Sequence, residues 1–180
     1  FRDGQLTRAR QELCAEQLAP GNAETLSLLR DSTRRPPSLT ENFHPEILSY
    51  EPSVAIQLDE KMFAENLRSA PKGSSGALSG TRYEFLKLAL DKQECLSKLF
   101  RIAQTIARAQ VPEDIARPLC TGAITAIPKP QGGIRGIVAG EAIKRLVSKT
   151  LAKQFMPEFQ KFCSPFQYGL NTRAGTDCVG

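Results

Sequence analysis

Two cationic side chains on either side of a tight turn are the residues of this sequence best suited to bind phosphate. Lys129 and Arg135 flank residues 130–133, where proline and glycine end one extended run before another begins. Arginine presents a forked set of donors that matches phosphate oxygens, and lysine presents a point charge. This spacing therefore predicts a seat for a phosphate group near the tip of a β-hairpin.

The elements around that turn are predicted to be two strands followed by a helix. Residues 123–127 and 134–138 are largely apolar with β-branched members, which is typical of half-buried strands. After Gly140 the pattern becomes helical, and Leu146 falls to the side of the predicted buried face. That face consists of Ile143, Val147, Leu151 and Phe155.

The same helix carries a row of cations opposite its apolar face. Arg145, Lys149 and Lys153 are spaced i, i+4 and i+8. Like charges in one row repel each other unless something anionic lies over them, and a nucleic-acid backbone would supply that anion. We therefore expect template or primer contacts here, with a merely solvated basic face as the alternative.

Charge is unevenly distributed along the chain. Residues 1–120 hold sixteen Lys and Arg against sixteen Asp and Glu, whereas residues 121–180 hold eight cations against three anions. The formal net charge of +5 thus lies entirely in the last third. Such asymmetry favours a polyanionic partner, although a solvated basic surface without a partner would look the same.

Composition bounds the class of protein. Of the 180 residues, 41% are hydrophobic and 24% are charged, as in an ordinary soluble globular protein. No window approaches the roughly 18 uninterrupted apolar residues of a membrane helix. The first residues show neither a methionine nor a signal-peptide pattern, so we expect the chain to start inside a longer reading frame.

Cysteine and histidine usage argues against a metal site. The five cysteines are scattered and form no CxxC pair, which favours reduced thiols over a disulfide framework or a zinc site. We therefore expect an intracellular protein, for which the nucleus is one compatible compartment. His44 is the only histidine, so neither metal binding nor histidine-dependent nucleophilic catalysis is expected.

The N-terminal half is predicted to be helical. Asn22 can cap a helix through Arg30 with Leu26 and Leu29 inward, and residues 31–37 form a polar linker. Asp59 can cap a helix to about Ser69. Its predicted buried residues are Met62, Phe63 and Leu67.

Two more helices are predicted downstream of a polar loop. The loop, residues 71–76, contains Lys72 but lacks the Gly-Lys-Ser/Thr ending of a P-loop, so a plain helix-to-helix connection is the alternative to a phosphate site. The first helix is expected over 80–90, with Tyr83, Leu86, Leu88 and Leu90 in the core. The second is expected over 96–109, ended by Val111-Pro112.

Short motifs follow one another in a definite order from Leu58 to the end of the chain. They are the loop Pro71-Lys72-Gly73-Ser74-Ser75-Gly76, then Val111-Pro112, Ala126-Ile127-Pro128-Lys129-Pro130, Gly133-Ile134-Arg135-Gly136-Ile137, Lys144-Arg145-Leu146, Phe166-Gln167-Tyr168-Gly169-Leu170 and Ala174-Gly175-Thr176-Asp177. In this order the chain resembles the front part of a reverse transcriptase of the non-LTR retrotransposon and group II intron kind. Where that family has Arg-Pro-Ile, this chain has Arg135-Gly136-Ile137.

The resemblance implies an α+β fold, with mostly helical fingers and a β-hairpin that lead into an incomplete palm. Residues 1–57 would be a helical N-terminal extension with a linker, and residues 58–180 the fingers and the start of the palm. The parent protein would be an RNA-directed DNA polymerase, a nucleotidyltransferase. Its partners would be an RNA template, a DNA primer, a dNTP and the remainder of the palm and thumb, with no membrane.

The resemblance also implies roles for individual residues. Lys129 and Arg135 would contact the triphosphate of the incoming dNTP. The template or primer would be contacted by Lys72, Arg145, Lys149, Lys153, Gln167, Tyr168 and Gly169. For Tyr168, an ordinary core aromatic is the alternative.

Catalysis would need residues that this chain does not contain. The Mg²⁺ ions of the full-length polymerase are held in this family by downstream aspartates, including an aromatic-x-Asp-Asp turn, and no such turn occurs in this sequence. We expect no catalytic residue or metal ligand within residues 1–180, and no polymerase activity from the isolated chain. Two other classes stay open: a non-catalytic basic nucleic-acid-binding module, and a decayed interaction domain without a phosphate ligand.

Overall fold

A computed structural model describes residues 17–31, 33, 45–51 and 53–163 of the chain. It divides into two compact units. The first unit combines the described residues of Phe1–Glu51 with Ile124–Ala139, and the second combines those of Pro52–Ala123 with those of Gly140–Gly180. The predicted fold class is confirmed, because most elements are helices and the described strands form a single two-stranded sheet. The predicted division at residue 57 stays a prediction.

The first unit contains a capped helix, α1, over Ala23–Arg30 and a short helix, α2, over Pro45–Leu48. The Asn22 side chain accepts a hydrogen bond from the Thr25 amide at 2.9 Å, so this predicted cap is confirmed. The prediction that Leu26 points inward is wrong, because Leu26 is 46% exposed and Thr25 is the buried residue. The buried side of α1 follows Thr25 and Leu29, which lie about 40° apart around a helix, and Leu26 falls outside that stripe.

A β-hairpin completes the first unit. Strands β1, Ala123–Pro128, and β2, Ile134–Ala139, match the two predicted runs to within one residue at each end. Between them, the Gly132 amide donates to the Lys129 carbonyl at 3.0 Å, and the Lys129 amide donates to Gly133 at 2.9 Å. Gly132 has a φ of 84° while Gln131 has no positive φ, which identifies a type I turn followed by a left-handed glycine.

The second unit is helical. Helix α3 begins after Asp59, whose carboxylate accepts from the Met62 amide at 2.6 Å as predicted. Its helices are α3 over Glu60–Arg68, α4 over Tyr83–Lys87 with a 3₁₀ turn over Leu88–Asp91, α5 over Gln93–Ala107, α6 over Glu113–Cys120, α7 over Ala142–Gln154 and α8 over Met156–Cys163. The sequence patterns did not predict α6 or α8.

Helix α4 differs from its prediction in length and in one core residue. It spans five residues before the chain tightens into the 3₁₀ turn, so it begins later and ends earlier than expected. Tyr83 is buried as predicted, and Leu86 and Leu90 pack against the core. Leu88 is instead 66% exposed. Two residues separate Leu88 from both Leu86 and Leu90, which is about 200–240° around either type of helix, so Leu88 faces away from the side that packs against the core.

The core of the second unit forms where α3, α5 and α7 pack together. Phe63 and Leu67 of α3 are fully buried, and the Phe63 ring meets the Phe100 ring edge-on, with centroids 5.7 Å apart. Each such side chain contributes roughly 1.5–3 kcal/mol by its burial. This packing supports the surface on which α7 carries its cations.

The buried face of α7 is rotated relative to the predicted one. Leu146, expected at the side, is 1% exposed, whereas Ile143 and Leu151 are only half-buried. A buried polar contact accompanies this rotation: the Asn66 amide donates to the Thr150 hydroxyl at 3.2 Å, and that hydroxyl donates to the Leu146 carbonyl at 2.9 Å. Helix α3 therefore faces the side of α7 that carries Leu146 and Thr150.

Two glutamines anchor the segment that leads into α3. The Gln104 side chain accepts from the Leu58 amide at 2.8 Å and donates to the Ile56 carbonyl at 2.7 Å. The Gln154 side chain does the same for the Asp59 amide and the Gln57 carbonyl, at 3.0 and 2.7 Å. Each amide thus satisfies a donor and an acceptor of an extended backbone that has no strand partner.

Candidate phosphate and nucleic-acid contacts

The hairpin register places Lys129 and Arg135 on one face. The hydrogen bond from the Lys129 amide to Gly133 pairs these two residues, so counting back along both strands puts Arg135 opposite Ile127. The Ala126 carbonyl then points away from β2, and it accepts from the Ala19 amide at 3.0 Å. Lys129 lies two residues beyond Ile127, on the same face. Lys129 and Arg135 are therefore diagonal neighbours across the hairpin, and the Cα atoms of such neighbours are roughly 7–8 Å apart.

Both cations are exposed and unpaired. Neither side chain makes a hydrogen bond or an ion pair within the described residues, and residues 123–139 contain no Asp or Glu. The proline at position i+1 and the glycine at i+3 suit the type I turn between them, so the tip holds a defined conformation. Two free positive charges on one face of a defined turn can bind an anion with several oxygens.

A cavity in the first unit does not share this chemistry. It encloses about 550 Å³ and is lined by residues 18–23, by Leu26 and Leu29 of α1, and by Ile124 and its neighbours on β1. None of the described residues that line it carries a charged side chain. A polyphosphate buried there would lose its hydration without gaining a counter-charge, so the cavity is a poor phosphate site.

In the second unit, three of the predicted nucleic-acid contacts are exposed. Lys149 and Lys153 lie one turn apart on the outer side of α7, and Lys72 lies on the loop after α3. No hydrogen bond or ion pair engages these ammonium groups within the described part of the chain. They are therefore available to a phosphate backbone, and their role in binding stays a prediction.

Arg145 is placed differently from the two lysines of its row. Its Nη2 donates to the Ser75 carbonyl at 2.7 Å, and its guanidinium carbon lies 5.0 Å from the centroid of the Tyr83 ring. Its Nε is buried and has no hydrogen-bond partner among the described residues. The side chain is half-buried between α4 and the loop after α3, and so part of its binding capacity is used inside the unit.

Carboxylates bind the backbone of that same loop. The Gly73 amide donates to Glu84, and the resulting stabilisation of the carboxylate lowers the pKa of Glu84 below its ordinary value. The Glu141 carboxylate accepts from the Ser79 amide at 3.1 Å and from the Ser79 hydroxyl at 2.6 Å. These amides are therefore engaged and do not form a phosphate cradle.

Sequence reasoning missed these two acids. Glu141 was counted only as one of three anions in the basic third of the chain. Its position directly before α7 was a signal of a structural role, because a carboxylate is favourable at a helix N-terminus. Its partner on a distant loop had no signal in the sequence, because the contact joins residues 62 positions apart.

Three of the predicted nucleic-acid contacts are not tested by the structure. Gln167, Tyr168 and Gly169 lie outside the described residues.

In the described ranges, no cluster of three or more His, Cys, Asp and Glu side chains could hold a metal ion, and Cys95, Cys120 and Cys163 are free thiols. The Mg²⁺ of a full-length polymerase stays a prediction about residues beyond these. No described helix has the length and apolarity needed to cross a bilayer.

Comparison of the chain with protein-family models, with curated proteins and with solved structures finds no match in any of the three. Assignment to a family therefore depends on the order of the sequence motifs and on the chemistry of the two described units.

Proposed function

We propose that this chain is the fingers region and the start of the palm of an RNA-directed DNA polymerase of the non-LTR retrotransposon and group II intron kind. In this proposal Lys129 and Arg135 bind the triphosphate of the incoming deoxynucleotide. The observation that carries it is the pair of exposed, unpaired cations on one face of a hairpin without acidic residues.

The hairpin suits a triphosphate better than a single phosphate. Lys129 and Arg135 project from diagonal positions on one face, so each side chain can contact a different phosphoryl group of one chain of phosphates. The type I turn is held by its own backbone hydrogen bonds, by its proline and by its left-handed glycine. Binding then costs less ordering of the backbone than it would on a flexible loop.

The described residues that are proposed to contact nucleic acid lie in the second unit. Lys72, Lys149 and Lys153 present unpaired ammonium groups that can neutralise backbone phosphates without reading sequence. Gln167, Tyr168 and Gly169 complete the proposal from the sequence resemblance alone. An RNA template and a DNA primer both offer the phosphates that these groups require.

Triphosphate binding by the 180-residue chain tests the proposal. We expect deoxynucleoside triphosphate to bind more tightly than monophosphate, and Lys129→Ala or Arg135→Ala to weaken the triphosphate about tenfold or more. A charge-assisted hydrogen bond contributes roughly 1.5–3 kcal/mol, which sets that magnitude. Isothermal titration calorimetry at low ionic strength measures both ligands.

Arg101→Ala is the matched control, because Arg101 is an equally exposed cation in α5, outside the hairpin. It should leave the triphosphate affinity unchanged. The assignment of the hairpin is wrong if the two hairpin variants bind triphosphate as the unmodified chain does. In a polymerase that includes the downstream palm, Arg135→Ala should raise the KM for dNTP.

A non-catalytic nucleic-acid-binding module is the second candidate, favoured by the exposed pair Lys149 and Lys153. It predicts RNA binding with a steep salt dependence and no preference for triphosphate over monophosphate. The same titrations therefore separate the two candidates.

A further inference from the structure

Charged side chains fasten the loop between α3 and α4, residues 71–82, at several points; we name it the clamped loop. We propose that Arg145 is a positioning residue, which holds the clamped loop so that Lys72 is presented to the nucleic-acid backbone. The inference rests on the proposed nucleic-acid binding, and it assigns Arg145 a role through the loop in place of a phosphate contact of its own.

The contacts of Arg145 carry the first step. Nη2 is bound to the Ser75 carbonyl, the guanidinium lies over the Tyr83 ring, and Nε is buried. A phosphate would have to approach a group that is half-covered by protein, and would compete with the hydrogen bond to Ser75. Lys149 and Lys153, on the following turns of α7, are exposed and meet neither restriction.

Lys72 lies between anchored backbone positions. On one side, the Lys87 ammonium donates to the Arg68 and Ala70 carbonyls at 2.9 and 2.7 Å. On the other side, Glu84 accepts from the Gly73 amide, next to Lys72 itself. Arg145 adds an anchor two residues further on, at Ser75. The backbone of Lys72 is thus held while its side chain stays exposed and unpaired.

The clamp matters for binding because an ordered loop loses less conformational freedom when a ligand binds. Glu141 extends it through Ser79, and Glu141 precedes Arg145 by one helical turn of α7. Helix α7 therefore holds the loop at two points while carrying Lys149 and Lys153 on its outer side. Lys72 and Lys149 are thus carried by a loop and a helix that are bound to each other through Arg145 and Glu141.

Arginine and lysine are not equivalent in this role. The guanidinium lies over the Tyr83 ring while it donates to Ser75, whereas lysine keeps the charge but lacks the plane and the fork. A direct phosphate contact would largely survive Arg145→Lys. A positioning role would not, so this conservative variant separates the two.

The test is a double-mutant cycle on the full 180-residue chain. The probe is a single-stranded RNA 16-mer of mixed sequence, and fluorescence anisotropy gives its Kd over a series of KCl concentrations. The variants are Arg145→Lys, Lys72→Ala and their combination. Lys149→Ala removes a proposed direct contact, and Arg101→Ala is the control. We expect Arg145→Lys to weaken binding by about as much as Lys72→Ala, and the combination to be little weaker than either.

Arg145→Lys combined with Lys149→Ala should instead multiply the two losses, because Lys149 lies outside the clamped loop. Lys72→Ala and Lys149→Ala should each lower the salt slope by about 0.7, the value for one phosphate of a single strand. Unchanged RNA affinity in Arg145→Lys overturns the inference. The inference is also overturned if the combined variant loses RNA affinity by the product of the separate losses of Arg145→Lys and Lys72→Ala.

Glu84→Gln is a second way to loosen the clamp, should Arg145→Lys fail to fold by circular dichroism. It weakens the Gly73 anchor and should couple to Lys72→Ala in the same way; independence of the two would overturn the inference. If RNA binds and Lys72→Ala has no effect, the inference fails while the proposed function stands. If the unmodified chain binds neither RNA nor triphosphate, both fail.

Discussion

At the scale of single residues, the charged side chains of this protein divide into those that hold the chain and those that face outward. Arg145, Lys87 and Glu84 contact backbone atoms of the second unit, whereas Lys129, Arg135 and Lys149 have no partner in the described chain. The exposed ion pair of Lys98 and Glu94 is an ordinary i, i+4 contact and contributes little to stability. The charged side chains without a partner are the ones available to bind a ligand.

Glu84→Gln should change how stability depends on pH. The hydrogen bond from the Gly73 amide lowers the pKa of Glu84, and the nearby charges of Arg82 and Lys87 lower it further. A carboxylate with a lower pKa in the folded state stabilises the fold fully above its unfolded pKa and loses that contribution as pH falls through the folded pKa. We expect the unmodified chain to lose stability more steeply than Glu84→Gln as pH falls below about 4.5.

Urea unfolding at a series of pH values between about 6 and 3 measures this difference. Glu84→Gln should be the less stable protein at neutral pH and should approach the unmodified chain at the acid end. Parallel curves would show that the bond to Gly73 does not contribute to stability.

At the scale of elements, the end of α5 shows a local conflict between residue type and backbone. Ala109 has a φ of 54°, in the left-handed region that favours glycine. Its amide donates to the Ile106 carbonyl, and the Gln110 amide donates to the Thr105 carbonyl, both at 3.0 Å. These two bonds form a Schellman motif with alanine where glycine is usual.

Ala109→Gly should therefore stabilise the second unit. Relief of the left-handed conformation contributes roughly 1–2 kcal/mol, and the greater freedom of glycine in the unfolded chain offsets roughly 0.4–1 kcal/mol of it. We expect a net gain of about 0.5–1 kcal/mol in the free energy of unfolding, measured by urea denaturation. Ala152→Gly, on the exposed side of α7, is the control and should lose about 1 kcal/mol; a loss at both sites would contradict the argument.

At the scale of the whole molecule, the two units differ in what stabilises them. The buried hydrophobic cluster lies in the second unit, around Phe63, Leu67 and Leu146. The hairpin of the first unit has an exposed Ile137 and Val138 and depends more on its turn and its backbone hydrogen bonds. Core substitutions should therefore report on the second unit.

Phe63→Ala should lower the free energy of unfolding by about 3–5 kcal/mol, because it removes a fully buried ring and leaves a cavity beside Phe100. Leu88→Ala is the control, since Leu88 is 66% exposed, and it should change stability by less than about 0.5 kcal/mol. Urea unfolding followed by far-UV circular dichroism compares the two. Equal effects of the two substitutions would contradict the burial of Phe63 in the core.

The sequence by itself determined the elements whose causes are local. Side-chain caps at Asn22 and Asp59 and the proline-glycine turn at residues 130–133 were all predicted and are confirmed. Such features depend on a few neighbouring residues, so their physics is contained in short windows. The order of motifs likewise suggested a polymerase fragment, which stays a proposal.

Only the tertiary structure decided which side of each helix is buried and which charges are already engaged. Leu26 and Leu146 were each assigned to the wrong environment, because helical periodicity defines a stripe but not the neighbour that covers it. In the sequence Arg145 is one of three evenly spaced cations, and only its contacts with Tyr83 and Ser75 distinguish it from the other two. These contacts join residues about 60–70 positions apart, and no local pattern in the sequence encodes them.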